Sequence, residues 1–328
     1  MSYSIDVAAA AAKIGPHTRL TDLEYSVGLS ALCGAEVWLK PEHLQHTGSF
    51  KWRGALNRLL TLTPAELEKG VITASNGNHG LAVCRAGALV GVRPRVSLCF
   101  GVPAEKVEMI RQAGGDPFFT GDTSLQAEQF ARQIAAERGE AFISPYNDEG
   151  VIAGQGTIGL EIGRQLDGVE AVFVSVGGGG LIAGVALGLR EAGSKAQVVG
   201  CWPRNSPVLY ECLRAGRVID VPEEPTISDS TAGGIEEDSL TLSLGQELID
   251  QSVLVSEDEI RRAMQLIARY ERWMIEGAAG VALAGLLASA SSWRGARVVV
   301  LLCGRNIGID RFTEFIAGSP APSVTPNT

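Results

Sequence analysis

The sequence predicts an α/β protein built from two open, mostly parallel sheets flanked by helices. Short apolar runs alternate with longer stretches of helical periodicity along most of the 328 residues. Runs such as Ala171-Val172-Phe173-Val174-Ser175-Val176 are nearly continuous in apolar character, the pattern of strands covered on both faces. Glycine-rich turns follow strands directly, and the 40 glycines cluster in such turns without a period. Collagen-like and low-complexity classes are thereby excluded.

Taken in order, residues 1–35 are expected to form a helix, a turn at Gly15-Pro16 and a short extended piece. Glu36–Lys40 reads as a strand stopped by Pro41. The turn Thr47-Gly48-Ser49 then delivers Lys51 to the start of an amphipathic run over 55–62. Thr63-Pro64-Ala65-Glu66 is a capping box with proline at the first helical position. Val71–Ala74 is a buried strand that runs into Ser75-Asn76-Gly77-Asn78-His79-Gly80 and an apolar helix. Strands are expected at 95–100, 117–120 and 141–143, with helices at 104–114 and 124–138 between them. A helix over 156–166, the strand 171–176, the tetraglycine Gly177-Gly178-Gly179-Gly180 and a strand at 197–202 follow. Ser256-Glu257-Asp258-Glu259 is a second capping box, opening a helix with Ile260, Met264 and Ile267 on one face. A small-residue helix over 279–290 leads to a last central strand, 296–302, which stops at Cys303-Gly304-Arg305-Asn306. The βα units fall into two groups, 54–150 and 152–300.

The formal charge of −9 argues against nucleic acid, which demands a basic footprint. No apolar run reaches the length needed to cross a bilayer. Six cysteines lie far apart, with no C-x-x-C pair and no secretory signal before them. The thiols are therefore read as reduced and the protein as cytoplasmic. His43 and His46 lack the neighbouring ligands a metal site requires, and no G-x-S-x-G elbow is present.

Chemistry concentrates in the turns. Gly177 to Gly180 lies between a strand and a helix, where backbone N–H groups and the helix N-terminus converge on an anion, most naturally a phosphate. Gly178-x-Gly180-x-x-Ala183 also fits the dinucleotide fingerprint, but the next strand ends Val199-Gly200-Cys201-Trp202 without the required acid. Ser75 to Gly80 offers N–H groups, two amides and a hydroxyl in one place. Cys303 stands at the carboxyl end of a central strand, where open α/β sheets hold ligands. Lys51, beside an aromatic ring and a turn, is placed for desolvation and attack on a carbonyl. An amine, a phosphate cradle, an amide-rich turn and a polar strand end are together what pyridoxal phosphate requires.

In order along the chain, 47–55, Ser75–Gly80, Val151-Ile152-Ala153-Gly154-Gln155-Gly156-Thr157, the tetraglycine, Glu276-Gly277-Ala278-Ala279-Gly280 and Cys303-Gly304 resemble the serine/threonine dehydratase and serine racemase family. That family lies within the β-family, fold type II, of pyridoxal-phosphate enzymes, with a tryptophan synthase β-like architecture. The resemblance covers about 15–310 and implies a large cofactor-binding domain, 1–53 with 152–318, a small substrate-side domain, 54–151, and a flexible tail, 319–328. It implies that Lys51 carries pyridoxal 5'-phosphate as an aldimine and then takes the Cα proton. Phe50 is expected to pack by the cofactor, Asn78 to bind the ring hydroxyl, and Cys303 to face the pyridine nitrogen. Gly177, Gly178, Gly179, Gly180 and Leu181 are expected to bind the phosphate, with Gly234 near the cofactor. Ser75, Asn76, Gly77 and Tyr146 are expected on the substrate side.

The implied activity is a lyase that converts a serine- or threonine-like β-hydroxy amino acid to a 2-oxo acid and ammonia. Racemisation or β-replacement on the same scaffold is the alternative. Asn76 stands where racemases carry a serine base and cannot abstract a proton. The stretch 201–207 has no acidic pair, so no activating divalent metal is expected. Tyr146-Asn147-Asp148 departs from the usual substrate-side loop, so the preferred side chain need not be that of threonine. The residues after 310 leave no room for a regulatory domain, and a homodimer is expected.

Overall fold

A computed structural model describes residues 4–317 of the chain, so the expected tail at 319–328 lies outside the described residues. Its strands are β1 (Glu24–Tyr25), β2 (Glu36–Lys40), β3 (Val71–Ala74), β4 (Arg95–Leu98), β5 (Asp116–Phe119), β6 (Ala141–Phe142), β7 (Ala171–Ser175), β8 (Gln197–Pro203), β9 (Gln251–Val255) and β10 (Arg297–Leu301). They sort into a six-stranded sheet of order β1-β2-β10-β7-β8-β9 and a four-stranded sheet of order β5-β4-β3-β6. Every pairing is parallel except β1 with β2. In the larger sheet β10 is central: Val299 pairs with Trp38 on one side and Val172 on the other. That position explains why Val298, Val299, Val300 and Leu301 are all buried and why the run is apolar at every residue. The fold class expected from the sequence is the one observed.

Both capping boxes form. Thr63 accepts from the Glu66 backbone and Ser256 from that of Glu259, each answered by the glutamate carboxylate. The differences are also physical. The extended piece expected before residue 35 contains a helix, Val27–Cys33, capped by the Ser26 hydroxyl. β9 was not anticipated, because an edge strand beginning with exposed Gln251 and Ser252 lacks the apolar run of its neighbours. The helix expected at 156–166 begins earlier, at Glu149, where the Asp148 carboxylate accepts from Val151 N–H at 2.8 Å. Its glycines conceal it from a propensity reading. They are there for close packing: a Cβ on Gly159 would lie 2.0 Å from the Val185 carbonyl oxygen.

The expected divides at 53/54 and 151/152 fall inside the helices Lys51–Thr61 and Glu149–Gln165, which pack on each other. A buried ion network fixes the first of these helices. Arg53 donates to both oxygens of Glu42, at 2.8 and 2.7 Å, and to Glu161 at 2.5 Å. Lys40 donates to the other Glu161 oxygen at 2.6 Å. Two cations meet two carboxylates, so no charge within this network is left unpaired. These bonds anchor the first helical turn, which carries Lys51.

Candidate active site

Three strand ends and the Lys51 turn meet at one place. The chain enters this turn through a left-handed pair, Thr47 at φ 63° and Gly48 at φ 76°. Asn306 secures it by donating to the Thr47 carbonyl at 2.8 Å. Phe50 N–H donates to the Cys303 carbonyl at 3.0 Å, Arg305 N–H donates to Gly48 at 2.9 Å, and Ser49 bridges Gly304. These bonds stitch the Lys51 turn to the end of β10. Lys51 opens its helix, and its Nζ donates to the Pro145 carbonyl at 2.7 Å and lies 5.1 Å from the Phe50 ring centroid. Burial pulls its pKa down to about 8, against weaker opposing contributions from Cys303, Glu128 and Glu276.

A cavity of about 340 Å³ extends from Lys51 to the tetraglycine. The helix Gly180–Glu191 starts within that turn, after β7, and its first N–H groups have no intrahelical partner. Close approach forbids side chains here: a Cβ on Gly178 would lie 2.5 Å from the Tyr146 ring, and one on Gly180 2.8 Å from the Tyr146 backbone. Gly179 adopts φ +88°, which L side chains rarely accept. The result is a backbone-walled cradle at a helix N-terminus, the natural receptor for a phosphate.

Opposite the cradle, Asn78, Glu276 and Cys303 line the same cavity. Asn78 donates to Glu276 at 2.8 Å, and Asn306 N–H donates to the second Glu276 oxygen at 3.0 Å. Burial pushes the Glu276 carboxyl up to about 7 and the Cys303 thiol well above the ordinary thiol range. His79 meets the Ile143 carbonyl at 3.0 Å through Nε2, and burial, with Lys51 nearby, lowers its pKa to about 3. It is therefore neutral and donates through Nε2.

A second chamber of about 210 Å³ adjoins the first and shares Lys51, Ser75, Asn76, Tyr146 and Gly178 with it. Ser97, Cys99, Glu128 and Gly234 line its far walls. The structure thus brings all the sequence-predicted residues to one paired cavity, with Gly234 in the second chamber and not beside the cradle. Gly77 N–H donates to the Ser75 hydroxyl at 3.2 Å, which shapes that turn. Sequence reasoning missed Glu276, Asn306, Glu128, Lys106 and Asp229, the last two of which line the first cavity. Glu276 and Asn306 did sit inside motifs already singled out. Glu128 carried no signal, being one acid within an ordinary amphipathic helix.

The residues present fit pyridoxal phosphate: a glycine cradle that a Cβ would fill, a lysine with a lowered pKa, and polar groups at the opposite edge. The fold and site are those of a pyridoxal-phosphate enzyme of fold type II. The chain matches the family described as pyridoxal-phosphate dependent enzyme over residues 14–304, and it belongs to that family. It is 37% identical over 296 residues to an L-threonine ammonia-lyase of Thermotoga maritima, covering 90% of this chain and 73% of that one. It is 34% identical to a β-hydroxyaspartate dehydratase of Paracoccus denitrificans, covering 93% of this chain and 96% of that one. Among solved structures, threonine deaminase isoform 2 from Solanum lycopersicum superposes with a TM-score of 0.89 at 32% identity, over 97% of this chain and 95% of that chain.

Proposed function

We propose that the chain is an ammonia-lyase that eliminates water from a β-hydroxy-α-amino acid and releases a 2-oxo acid and ammonia. The observation that carries this is the position of one amine, Lys51 Nζ, on the wall shared by the phosphate cradle and the second chamber. When bound, the cofactor supplies an aldehyde that captures the substrate amine and a conjugated ring that acidifies the Cα proton.

The chain's residues do the rest. The N–H groups of 177–181 hold the phosphate, and Ser75, Asn76 and Gly77 hold the substrate carboxylate. Asn78, with Glu276 behind it, would hold the ring hydroxyl edge of the bound cofactor, Phe50 would pack by its ring, and Cys303 would meet its ring nitrogen. Lys51, neutral in an appreciable fraction near physiological pH, removes the Cα proton. The electron pair left at Cα forms the Cα=Cβ bond as the Cβ–O bond breaks, and the hydroxyl takes up the proton that Lys51 removed and leaves as water. The enamine that departs hydrolyses to the 2-oxo acid and ammonia. The small lobe, 54–151, carries the substrate-side turn, and the larger unit carries the cradle.

A cytoplasmic homodimer is part of the same reading. It is supported by six cysteines that are all free thiols and by the prevalence of two-fold dimers. Among the described residues no helix is long and apolar enough to cross a membrane, and no group of histidine, cysteine and acidic residues is arranged to hold a metal.

Incubated with L-serine or L-threonine, the holoenzyme is expected to release pyruvate or 2-oxobutyrate and ammonia in equal amounts. Lys51→Ala is expected to lower the rate by roughly a thousandfold or more. Formation of a D-amino acid or a thioether in place of an oxo acid, or an unchanged rate in the variant, would overturn the proposal.

A further inference from the structure

Glu128 is the one charged wall residue of the second chamber that the proposed elimination does not use. It projects from the helix Ser124–Arg138 and is only 17% exposed. Of the residues lining that chamber, Lys51 and Glu128 alone carry charge; the others are small, apolar or neutral polar groups such as Ser97, Leu98, Cys99 and Leu125. Its ion-pair partner is shared. Arg132 donates to Glu128 at 2.9 Å and also to Glu236. Glu236 is held in place by Asn147, which donates at 2.6 Å, and by the Tyr146 hydroxyl, which donates at 3.3 Å. Two carboxylates thus meet one guanidinium; burial and a hydrogen bond with Glu236 raise Glu128 to about 7, so above that pH an excess of negative charge faces the chamber.

The layout fixes what reaches that wall. With the carboxylate of a substrate at the Ser75 turn and its Cα within reach of Lys51, the group beyond Cβ points into the second chamber. A methyl there gains nothing from a carboxylate. An anionic group is repelled in an enclosed site where water screens little. An ammonium or other donor finds an acceptor already in place.

We infer that Glu128 is a specificity-determining residue, selecting amino acids whose side chain carries a cationic or hydrogen-bond-donating group beyond Cβ and rejecting those with an anionic one. The inference rests on the proposed reading of the site and names the substrate class it takes.

The test uses three amino acids that lack a β-hydroxyl and so bind without losing water: L-2,4-diaminobutyrate, L-2-aminobutyrate and L-aspartate. Dissociation constants are measured from the change in cofactor absorbance of the holoenzyme. The diamino acid should bind about tenfold or more tightly than 2-aminobutyrate, and aspartate about tenfold or more weakly. In Glu128→Gln the spread should shrink to within about threefold. Aspartate binding as well as the diamino acid, or a spread that survives in the variant, would overturn the inference. The wild-type ranking decides the matter by itself if the variant does not fold. Because no elimination is involved, this result is independent of the oxo-acid assay, so failure of the specificity claim is distinguishable from failure of the lyase assignment.

Discussion

Lys51 owes its reactivity to enclosure. Its place beside an aromatic ring and a turn pointed to desolvation; what lowers its pKa to about 8 is burial at the meeting of two cavities. The sign of the pH dependence follows. Below that value the amine is protonated and cannot attack an aldehyde, and above it the amine is free. Uptake of pyridoxal phosphate by the cofactor-free chain should therefore accelerate with pH and level off above about 8, as followed by the cofactor's absorbance. A rate still climbing through the ordinary lysine value of 10.5 would contradict the assignment. Linkage adds a second consequence. Between about 8 and 10.5 the unfolded chain still binds the proton that the folded one has lost, so this group makes the cofactor-free protein more stable as pH rises through that window. Glu128 and Glu276 are also enclosed and shifted upward, each to about 7. Glu128 was not legible from sequence, because one acid on a helix reads as surface until the fold shows what covers it; Glu276 stood in the 276–280 motif, but its enclosure was not readable.

At the scale of elements, the strand-to-helix turns account for most of the site, and they were the most legible part of the chain. The tetraglycine announced an anion cradle, and the structure has a backbone-walled turn at a helix N-terminus there. Its second reason could not be read: the Tyr146 segment packs so tightly on Gly178 and Gly180 that a Cβ at either has no room. That contact joins residues more than thirty positions apart and leaves no periodic trace. Gly178→Ala should therefore displace the Tyr146 ring and weaken cofactor binding by about 1–3 kcal/mol, the usual cost of overpacking. Titration of the cofactor-free variant with pyridoxal phosphate measures this; unchanged affinity would mean that the loop yields freely. The helix Glu149–Gln165 was half legible, its first turns concealed by Gly150 and Gly154. β9 was illegible because its neighbours, and not its own residues, make it a strand.

At the scale of the molecule, two parallel sheets point the ends of β3, β7 and β10 at one cleft, in keeping with the rule that open α/β sheets bind ligands at the carboxyl ends of their strands. The alternation of apolar strands with helices was sufficient to predict both sheets. The order β1-β2-β10-β7-β8-β9 was not readable, since β10 inserts between strands distant in sequence. That insertion brings Cys303 and Gly304 against Ser49 and Phe50, and so sets where the lysine stands. Across the cleft, Arg132, Glu236, Tyr146 and Asn147 tie the smaller sheet's helix to a loop of the larger unit. The second chamber is thereby a joint product of both sheets.

The central claim is that a single amine serves the cradle and the chamber together. Borohydride reduction of the holoenzyme, followed by proteolysis and mass mapping, tests it most directly. The account predicts the phosphopyridoxyl group on the peptide containing Lys51, and no label in Lys51→Ala. Label on any other lysine of the wild-type protein, or a holoenzyme that borohydride leaves unlabelled, would contradict it.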